Sequence, residues 1–396
     1  MKTKNILFLY PFKFRKFDWY RFECDLLEKE YNIKIHIHEV INIIYPHFKK
    51  AYLSEMVTSN ITEFNTLNEW KVKFEELIQE DPNILIMNHV KPVNFKALKI
   101  CRYIKKFKVR DYIYASAQMP DKNIKINLSN IFKKVAWFIY NPKPLGFFIQ
   151  DKLFHLLGKI LGIYPKYALK SGTDHFLGSK KSEVIKANSH DFSNFMIVKK
   201  KLDQTENVRN KILYLEKPGP MFSGDNLITK KKMSEMFTVE QWYPALIKFF
   251  DKLENYMSTK IYIAPHPKTK HEKFPKYYGG REVISERLAK ASFSAKMLVS
   301  IDSTGLSFGV LQNIPIIMIY SDELDQNKIF RTKQNYHANQ LGVSPININN
   351  NFNEEEIKKN LIINKDKYFN FKYKYLTSRN DFKTNYQILS DINAHK

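Results

Sequence analysis

Met297-Leu298-Val299-Ser300-Ile301-Asp302-Ser303-Thr304-Gly305-Leu306-Ser307-Phe308-Gly309 is the stretch on which the fold turns. An apolar run of strand length ends in an Asp-Ser-Thr-Gly turn, and a helical pattern opens behind it. Ser303 or Thr304 can cap that helix, whose first N–H groups have no partner within it. Hydroxyls at a helix start form a ready anion site, and Gly305 permits close backbone approach to a phosphate. The plainer reading is an ordinary capped helix. Leu311-Gln312-Asn313-Ile314-Pro315-Ile316-Ile317-Met318 then carries a helix end straight into another buried strand.

A second motif precedes it. Ile261-Tyr262-Ile263-Ala264 is a short apolar strand that runs into Pro265-His266-Pro267-Lys268. Two prolines restrict the backbone around one imidazole, and a lysine follows. Imidazole N–H and ammonium together suit a phosphate at a strand's carboxyl end; a surface turn is the plainer alternative. Outward from these motifs the chain alternates strands and helices. Strands are expected at Ile212–Leu215, Lys260–Ala264, Met297–Ile301 and Pro315–Tyr320, and helices at Val239–Tyr256, Val283–Ala291 and Leu306–Gln312. The first half repeats the pattern, with strands at Ile6–Tyr10, Lys34–Val40, Asn83–Met87, Asp111–Ala115 and Asp174–Leu177. Helices fall at Trp19–Glu30, Leu67–Gln79 and Phe95–Phe107. This alternation predicts parallel βαβ units and an α/β fold. Length over 150 suggests two or three domains for 396 residues. The expected division is an N-terminal Rossmann-like domain over 1–200, a second over 209–347 and a helical segment over 348–396. The last segment, with helices at Glu354–Asn360 and Lys374–Asp391, is expected to pack back on the first domain.

The segment Ile261–Tyr320 resembles the C-terminal, nucleotide-sugar half of GT-B glycosyltransferases, two Rossmann-like domains facing across a cleft. More narrowly it resembles the bacterial sialyltransferase and Kdo-transferase type, in which an HP motif and a downstream Ser/Thr motif hold the phosphate of a CMP-activated sugar. The matching residues are His266, Pro267, Ser303 and Thr304. The CDP-glycerol polymerases of teichoic acid synthesis share a similar pair of motifs. The resemblance implies an inverting glycosyltransferase that carries a sialic-acid-like or Kdo-like sugar to a glycan or glycolipid acceptor of the bacterial surface, in capsule or lipopolysaccharide synthesis. The alternatives it leaves are transfer of glycerol phosphate from CDP-glycerol and transfer from a UDP-sugar. No metal or other cofactor is expected, since side chains and helix ends neutralise the leaving phosphate. His266, Pro267, Lys268, Asp302, Ser303, Thr304 and Gly305 form the expected donor site, with His266 also in a catalytic role.

The sequence departs from the sialyltransferases in lacking an acidic pair followed by Gly in the first half, so the general base is open. Asp18, just past the first strand, is the positional choice; Glu23 and Asp25 follow it, and His89, after the third strand, is the rival. Arg15 or Lys16 beside Asp18 can meet an anionic acceptor. Glu216-Lys217-Pro218-Gly219-Pro220 is expected to line the cleft, with Gly219 letting the chain approach the donor.

Composition bounds the remaining classes. Lys and Arg number 64 against 40 Asp and Glu, a net charge of +24, and 44% of residues are hydrophobic. That apolar content excludes a disordered chain. The charge favours anionic partners or reflects a Lys- and Asn-rich composition. A basic nucleic-acid-binding protein is the distant alternative; no motif of that class is present and no nucleic-acid partner is expected. Two cysteines, Cys24 and Cys101, are too few for a disulfide framework and fit a reducing compartment. No run approaches a membrane span, and the opening apolar run is too short for a signal-peptide core. Residues 131–170 are rich in Phe, Leu and Lys, and Phe147, Phe148, Leu153, Phe154, Leu157, Ile160 and Leu161 approximate an apolar helical face. That face reads either as an ordinary buried helix of the first domain or as a basic amphipathic surface at a membrane interface. The expected location is cytoplasmic, with peripheral contact at the inner face of an anionic membrane under the second reading.

Overall fold

The architecture is that of a computed structural model describing residues 4–46, 58–114, 120, 153–174, 179, 181–202, 208–217, 237–266, 275–350 and 353–394. Its first half is built on seven strands: β1 (Asn5–Tyr10), β2 (Lys34–Glu39), β3 (Ile61–Glu63), β4 (Leu85–Asn88), β5 (Arg110–Tyr114), β6 (Tyr167–Lys170) and β7 (Glu183–Lys186). The helices between them are α1 (Lys16–Arg21), α2 (Cys24–Tyr31), α3 (Ile41–Ile44), α4 (Leu67–Glu80) and α5 (Phe95–Ile104). The sheet order is β3-β2-β1-β4-β5-β6-β7 and every pairing is parallel. Helix α6 (His190–Lys201) leads into the second half.

The second sheet has the order β12-β11-β10-β8-β9, from β8 (Lys211–Leu215), β9 (Ile261–Ala264), β10 (Ala295–Ser300), β11 (Ile316–Tyr320) and β12 (Ile346–Asn347). Its helices are α7 (Val239–Met257), α8 (Leu288–Ala291), α9 (Ser307–Gln312), α10 (Asp322–Gln326) and α11 (Lys328–Leu341). The chain closes with α12 (Glu354–Leu361), α13 (Lys365–Phe371) and α14 (Asn385–Ala394).

Period-two burial explains both layers. On β1, Ile6 and Phe8 face one core with Leu26, Leu27 and Leu389, while Leu7 and Leu9 face another with Trp70, Phe74 and Ile100. On β8, Ile212 and Tyr214 meet Trp242 and Phe250 of α7, and Leu213 and Leu215 meet Phe192 of α6 and Phe308 of α9. Each sheet is thus covered on both faces, as a parallel sheet requires. The chain then crosses between the halves. Phe371 and Tyr375 pack in the second half, and Tyr386, Ile388 and Leu389 of α14 pack on the first.

Several elements differ from the sequence expectation. The helix expected over Trp19–Glu30 is two helices, because Glu23 adopts φ 59° and breaks the run. Of Val283–Ala291 only Leu288–Ala291 is α-helical, because Ile263 bonds Glu282 and Ile284 on either side of Val283 and makes that end an extra strand-like edge. The Lys374–Asp391 helix is confined to Asn385–Ala394, after a π-helical turn at Lys372–Leu376. Asp174 lies in a turn, and 175–178 of the strand expected at Asp174–Leu177 fall outside the described residues; β6 and β7 form that side of the sheet instead. Of the apolar segment 131–170, residues 131–152 also lie outside them, and 153–160 are helical.

Glu23 has a structural duty at the break. Its carboxylate is 1% exposed and accepts from the Tyr386 backbone N–H at 2.8 Å, tying α14 to the first half. Burial pushes its carboxyl up to about 7, against the hydrogen bonds from Ser193 and Tyr386. A pKa raised on folding gives stability that is complete below the unfolded value and is lost as pH rises through the folded one. Here that window runs from 4.5 to about 7. Glu23→Gln keeps the acceptor oxygen and removes the charge. It should raise stability by about 1–3 kcal/mol near pH 8 and change little near pH 4.5, which urea unfolding at the two pH values would measure. Equal effects at both pH values would show that the carboxyl does not titrate across this window.

Candidate functional site

Ligands of open α/β sheets collect at the carboxyl ends of the strands, where the strand order reverses. In the second half that point lies between β8 and β10; in the first it lies between β1 and β4. The residues immediately past those four strands are Glu216 and Lys217, Ile301 and Asp302, Pro11, and His89.

Glu216 follows β8 and organises the neighbouring strand end. Its Oε2 accepts from the His266 backbone N–H at 2.8 Å and its Oε1 accepts from the Tyr278 hydroxyl. His266 therefore stands at a backbone fixed by a buried carboxylate, directly past β9. On the opposite side of β8, Asp302 lies between two groups. His337 Nδ1 is 3.0 Å from Oδ1, and Lys217 Nζ is 3.8 Å from Oδ2. Burial disfavours the charged Asp302, but the His337 hydrogen bond and the Lys217 charge outweigh it and hold the carboxyl below its ordinary value. Burial pulls the Lys217 ammonium the other way, below its ordinary value, and Asp302 partly restores it. The ammonium also lies 4.5 Å from the ring centre of Phe330. Lys217 is thus a desolvated cation, 21% exposed, between an anion and an aromatic face at the switch point.

The Ser-Thr-Gly turn is arranged differently from the sequence expectation. Ser303 Oγ accepts from Gly305 N at 3.2 Å and caps a 3-10 turn over Thr304–Leu306, with α9 only six residues long behind it. Gly305 is needed for packing. A Cβ there would lie 2.5 Å from Leu288 Cδ2 and 3.2 Å from Leu215 Cδ1. Ser303 and Thr304 remain beside Asp302 and half-buried. Pro267, Lys268 and Gly219 lie outside the described residues.

In the first half, Asp18 is buried in α1. It accepts from the Tyr10 hydroxyl at 3.1 Å and from Arg15 N at 3.1 Å. Burial raises its carboxyl above the ordinary value, with Arg15 opposing. His89 stacks among Phe8, Tyr10, Phe22 and Tyr114. Burial, with the Arg21 charge second, lowers its imidazole to about 3, so it is a neutral ring near pH 7 and a weak base. Glu23 points into the joint with α14, and Asp25 lies in the first turn of α2, half-buried. The structure therefore brings Asp18 and His89 to the first switch point and turns Glu23 away from it.

Helix α6 connects the two walls. Asp191 Oδ2 accepts from Ser307 Oγ at 2.9 Å, and Asn194 Nδ2 donates to the Arg21 carbonyl at 3.4 Å. Across the same seam the Arg287 guanidinium lies 4.4 Å from the ring centre of Tyr20. His337 and Asp191 were not singled out by sequence reasoning. His337 sits in a polar helix, and nothing near it in the sequence announces a partner 35 residues upstream. Asp191 stands two residues after the Ser189 cap, where a first-turn carboxylate reads as ordinary helix chemistry.

No family model and no curated protein matches the sequence. Among solved structures, a variant of the wall teichoic acid polymerase TagF matches with a TM-score of 0.53 at 10% identity, over 99% of this chain and 88% of that one. Unmodified TagF gives 0.51 at 11% identity over the same shares. A UDP-GlcNAc 2-epimerase from Methanocaldococcus jannaschii gives 0.48 at 10% identity over 98% and 99%. The chain has the GT-B fold, with two parallel α/β sheets.

Lys217→Met tests whether the strand-end cation serves binding or folding. The methionine keeps most of the apolar stem and leaves Asp302 its His337 bond. Stability should change by no more than about 1 kcal/mol, while affinity for inorganic pyrophosphate should fall about tenfold or more. Urea unfolding and calorimetric titration read the two effects; a large loss of stability with unchanged affinity would make Lys217 a structural cation.

Proposed function

We propose that the chain is a glycosyltransferase that moves a sugar from a CMP-activated donor to a hydroxyl of a surface glycan or glycolipid. One observation carries this reading. Glu216–Lys217, His266 and Asp302–Thr304 meet at the carboxyl ends of adjacent parallel strands, and Asp18 lies at the switch point of the other sheet. In this reading Lys217, His266 and the Ser303–Thr304 hydroxyls bind the donor phosphate, with Pro267, Lys268 and Gly219 completing that wall. His266 donates a hydrogen bond to the departing phosphate oxygen as the sugar–oxygen bond breaks. Asp18 accepts the proton of the acceptor hydroxyl as the new bond forms on the opposite side of the anomeric carbon. Its raised carboxyl makes it a stronger base than an ordinary aspartate. No step calls for a metal or other cofactor, because the leaving charge is met by the lysine, imidazole and hydroxyls.

A second reading is transfer of glycerol phosphate from CDP-glycerol. The fold likeness to a wall teichoic acid polymerase favours it, and the same strand-end groups would hold its diphosphate. A UDP-sugar donor is the third member of this group.

Thermal unfolding with CMP, CDP, UMP, UDP and GDP separates these readings. A nucleotide that binds only the folded chain at about a hundred times its Kd adds about 2.7 kcal/mol, several degrees of melting temperature. The largest shift should come with CMP; CDP in its place would support the CDP-glycerol reading, and UDP a UDP-sugar. His266→Ala should abolish most of the shift, and Asp18→Asn should leave the shift intact but cut turnover by about 10²–10⁴. No shift with any nucleotide would overturn the donor assignment.

We also propose that the chain touches an anionic bilayer at the cytoplasmic side. The side chains of Leu153, Leu156, Ile160 and Leu161 are exposed, as is Lys159 among them, and such a face suits an acyl–headgroup boundary. No helix among the described residues is long and apolar enough to cross a membrane. Leu156→Glu with Ile160→Glu should abolish sedimentation with phosphatidylglycerol vesicles without lowering the melting temperature; unchanged sedimentation would remove this face from the reading.

A further inference from the structure

Arg21 ends helix α1 at the seam between the two halves. It follows Asp18 by three residues, so the two share a helix face. Arg21 is a half-buried residue, and among the described residues its guanidinium donates to no oxygen and lies over the Phe17 ring, 5.8 Å from its centre. The neighbouring carboxylates are committed elsewhere: Asp18 to the Tyr10 hydroxyl and Arg15 N–H, Asp191 to the Ser307 hydroxyl. A guanidinium carries five donors and does not lose its charge, so withdrawing it from water without acceptors is costly.

The surroundings are also short of partners. His89 Nε2, His190 Nδ1 and the Tyr114 hydroxyl are buried and make no hydrogen bond. Burial and then the Arg21 charge lower both imidazoles, and Lys91 adds to the effect at His89. The rings form one cluster: His89 and Tyr114 have centroids 6.3 Å apart, and Tyr114 and His190 4.3 Å. These groups lie at the ends of β4 and β5 and the start of α6, beside the β1–β4 switch point.

We propose that Arg21, with His89 and Tyr114 beside it, is an anion subsite that holds a phosphate ester on the acceptor, next to the hydroxyl that Asp18 deprotonates. The guanidinium fork matches two phosphate oxygens, and a tetrahedral phosphate has further oxygens for the imidazole and phenol donors. The acceptor would then be a phosphorylated alcohol, and one face of α1 would carry both its anchor and its base. This rests on the reading that the first half takes the acceptor, but it is tested without any donor.

The test is calorimetric titration of the full chain with sn-glycerol 3-phosphate, for the wild type, Arg21→Met and Arg21→Lys, alongside co-sedimentation with phosphatidylcholine vesicles containing phosphatidylglycerol. Arg21→Met should weaken glycerol 3-phosphate binding about tenfold or more, and Arg21→Lys, which keeps charge but not the fork, should fall between. Loss of the soluble ester alone identifies a phosphorylated glycan or soluble acceptor; loss of both ester and vesicle binding identifies a lipid headgroup. Unchanged binding of both by Arg21→Met, with a lowered melting temperature, would overturn the proposal and leave Arg21 as a balance for Asp18 and Asp191. The nucleotide-induced melting shift is the donor-side control. Its loss in the wild type counts against the donor reading, and its retention in Arg21→Met shows that the variant is folded.

Discussion

The carboxylate of Asp302 is the constraint on which the second wall depends. It sits past β10, yet its two partners come from the end of β8 and the middle of α11. Without it, Lys217 would be a desolvated ammonium with, among the described residues, the Phe330 face beside it, and His337 would lose the acceptor that sets its tautomer. With it, one strand end, its neighbour and the helix behind them are joined by charge-assisted contacts. Glu216 performs the matching task on the other side of β8, holding the backbone of His266. Two carboxylates thus brace the loops that a phosphate would otherwise have to order on arrival, which lowers the entropic cost of binding.

The two walls are connected by few polar contacts and a returning chain. Asn194–Arg21 and Tyr20–Arg287 cross the seam beside α1. The chain itself crosses again after Leu376, where Thr377 pairs with Asn188 and its hydroxyl donates to that residue's side chain at 2.6 Å. Gly172, at φ 60°, permits this second crossing, since a Cβ there would lie 2.2 Å from the Lys374 carbonyl oxygen. Contacts of this kind hold a reference geometry while leaving each sheet its own core, as hinged closure around a ligand requires.

Much of this was legible in the sequence because parallel strands buried on both faces write continuous apolar runs. Ile6–Tyr10, Ile212–Leu215 and Pro315–Tyr320 read directly as strands, and the polar residues behind such runs fell where the strand order reverses. Edge elements were harder. β7 reads Glu-Val-Ile-Lys and leaves Val184 half exposed, so it lacks the apolar run that marks a central strand. Helix α11 buries one regular face, Phe330, Gln334, His337, Ala338 and Leu341, but two of the five are polar, which breaks the apolar periodicity that would mark it. The break at Glu23 was hidden because nothing near it resembles a helix stop; a buried carboxylate that must reach Tyr386, far along the chain, imposes it. Long-range pairings such as Asp302–His337 have no local signature, whereas the HP and Ser-Thr-Gly motifs do.

The net charge of +24 is a poor guide to the site itself. Among the described residues most basic side chains are exposed, where salt screens them within about 8 Å. At the strand ends the count is small and largely compensated. Lys217 faces Asp302, and Lys13 is shared by Glu39 and Glu63. A field of exposed lysines raises the local concentration of any anion without choosing among them. Selection must then come from the few cations that are half-buried and aimed by their surroundings. Lys217 on one wall is held between Asp302 and Phe330, and Arg21 on the other is half-buried without an acceptor among the described residues, so they differ in kind. A lysine whose proton is loosened by burial and partly restored by Asp302 suits a group whose negative charge grows, because its ammonium answers to the charge beside it. An arginine with a fixed charge and a planar fork suits a group that must only be held in place.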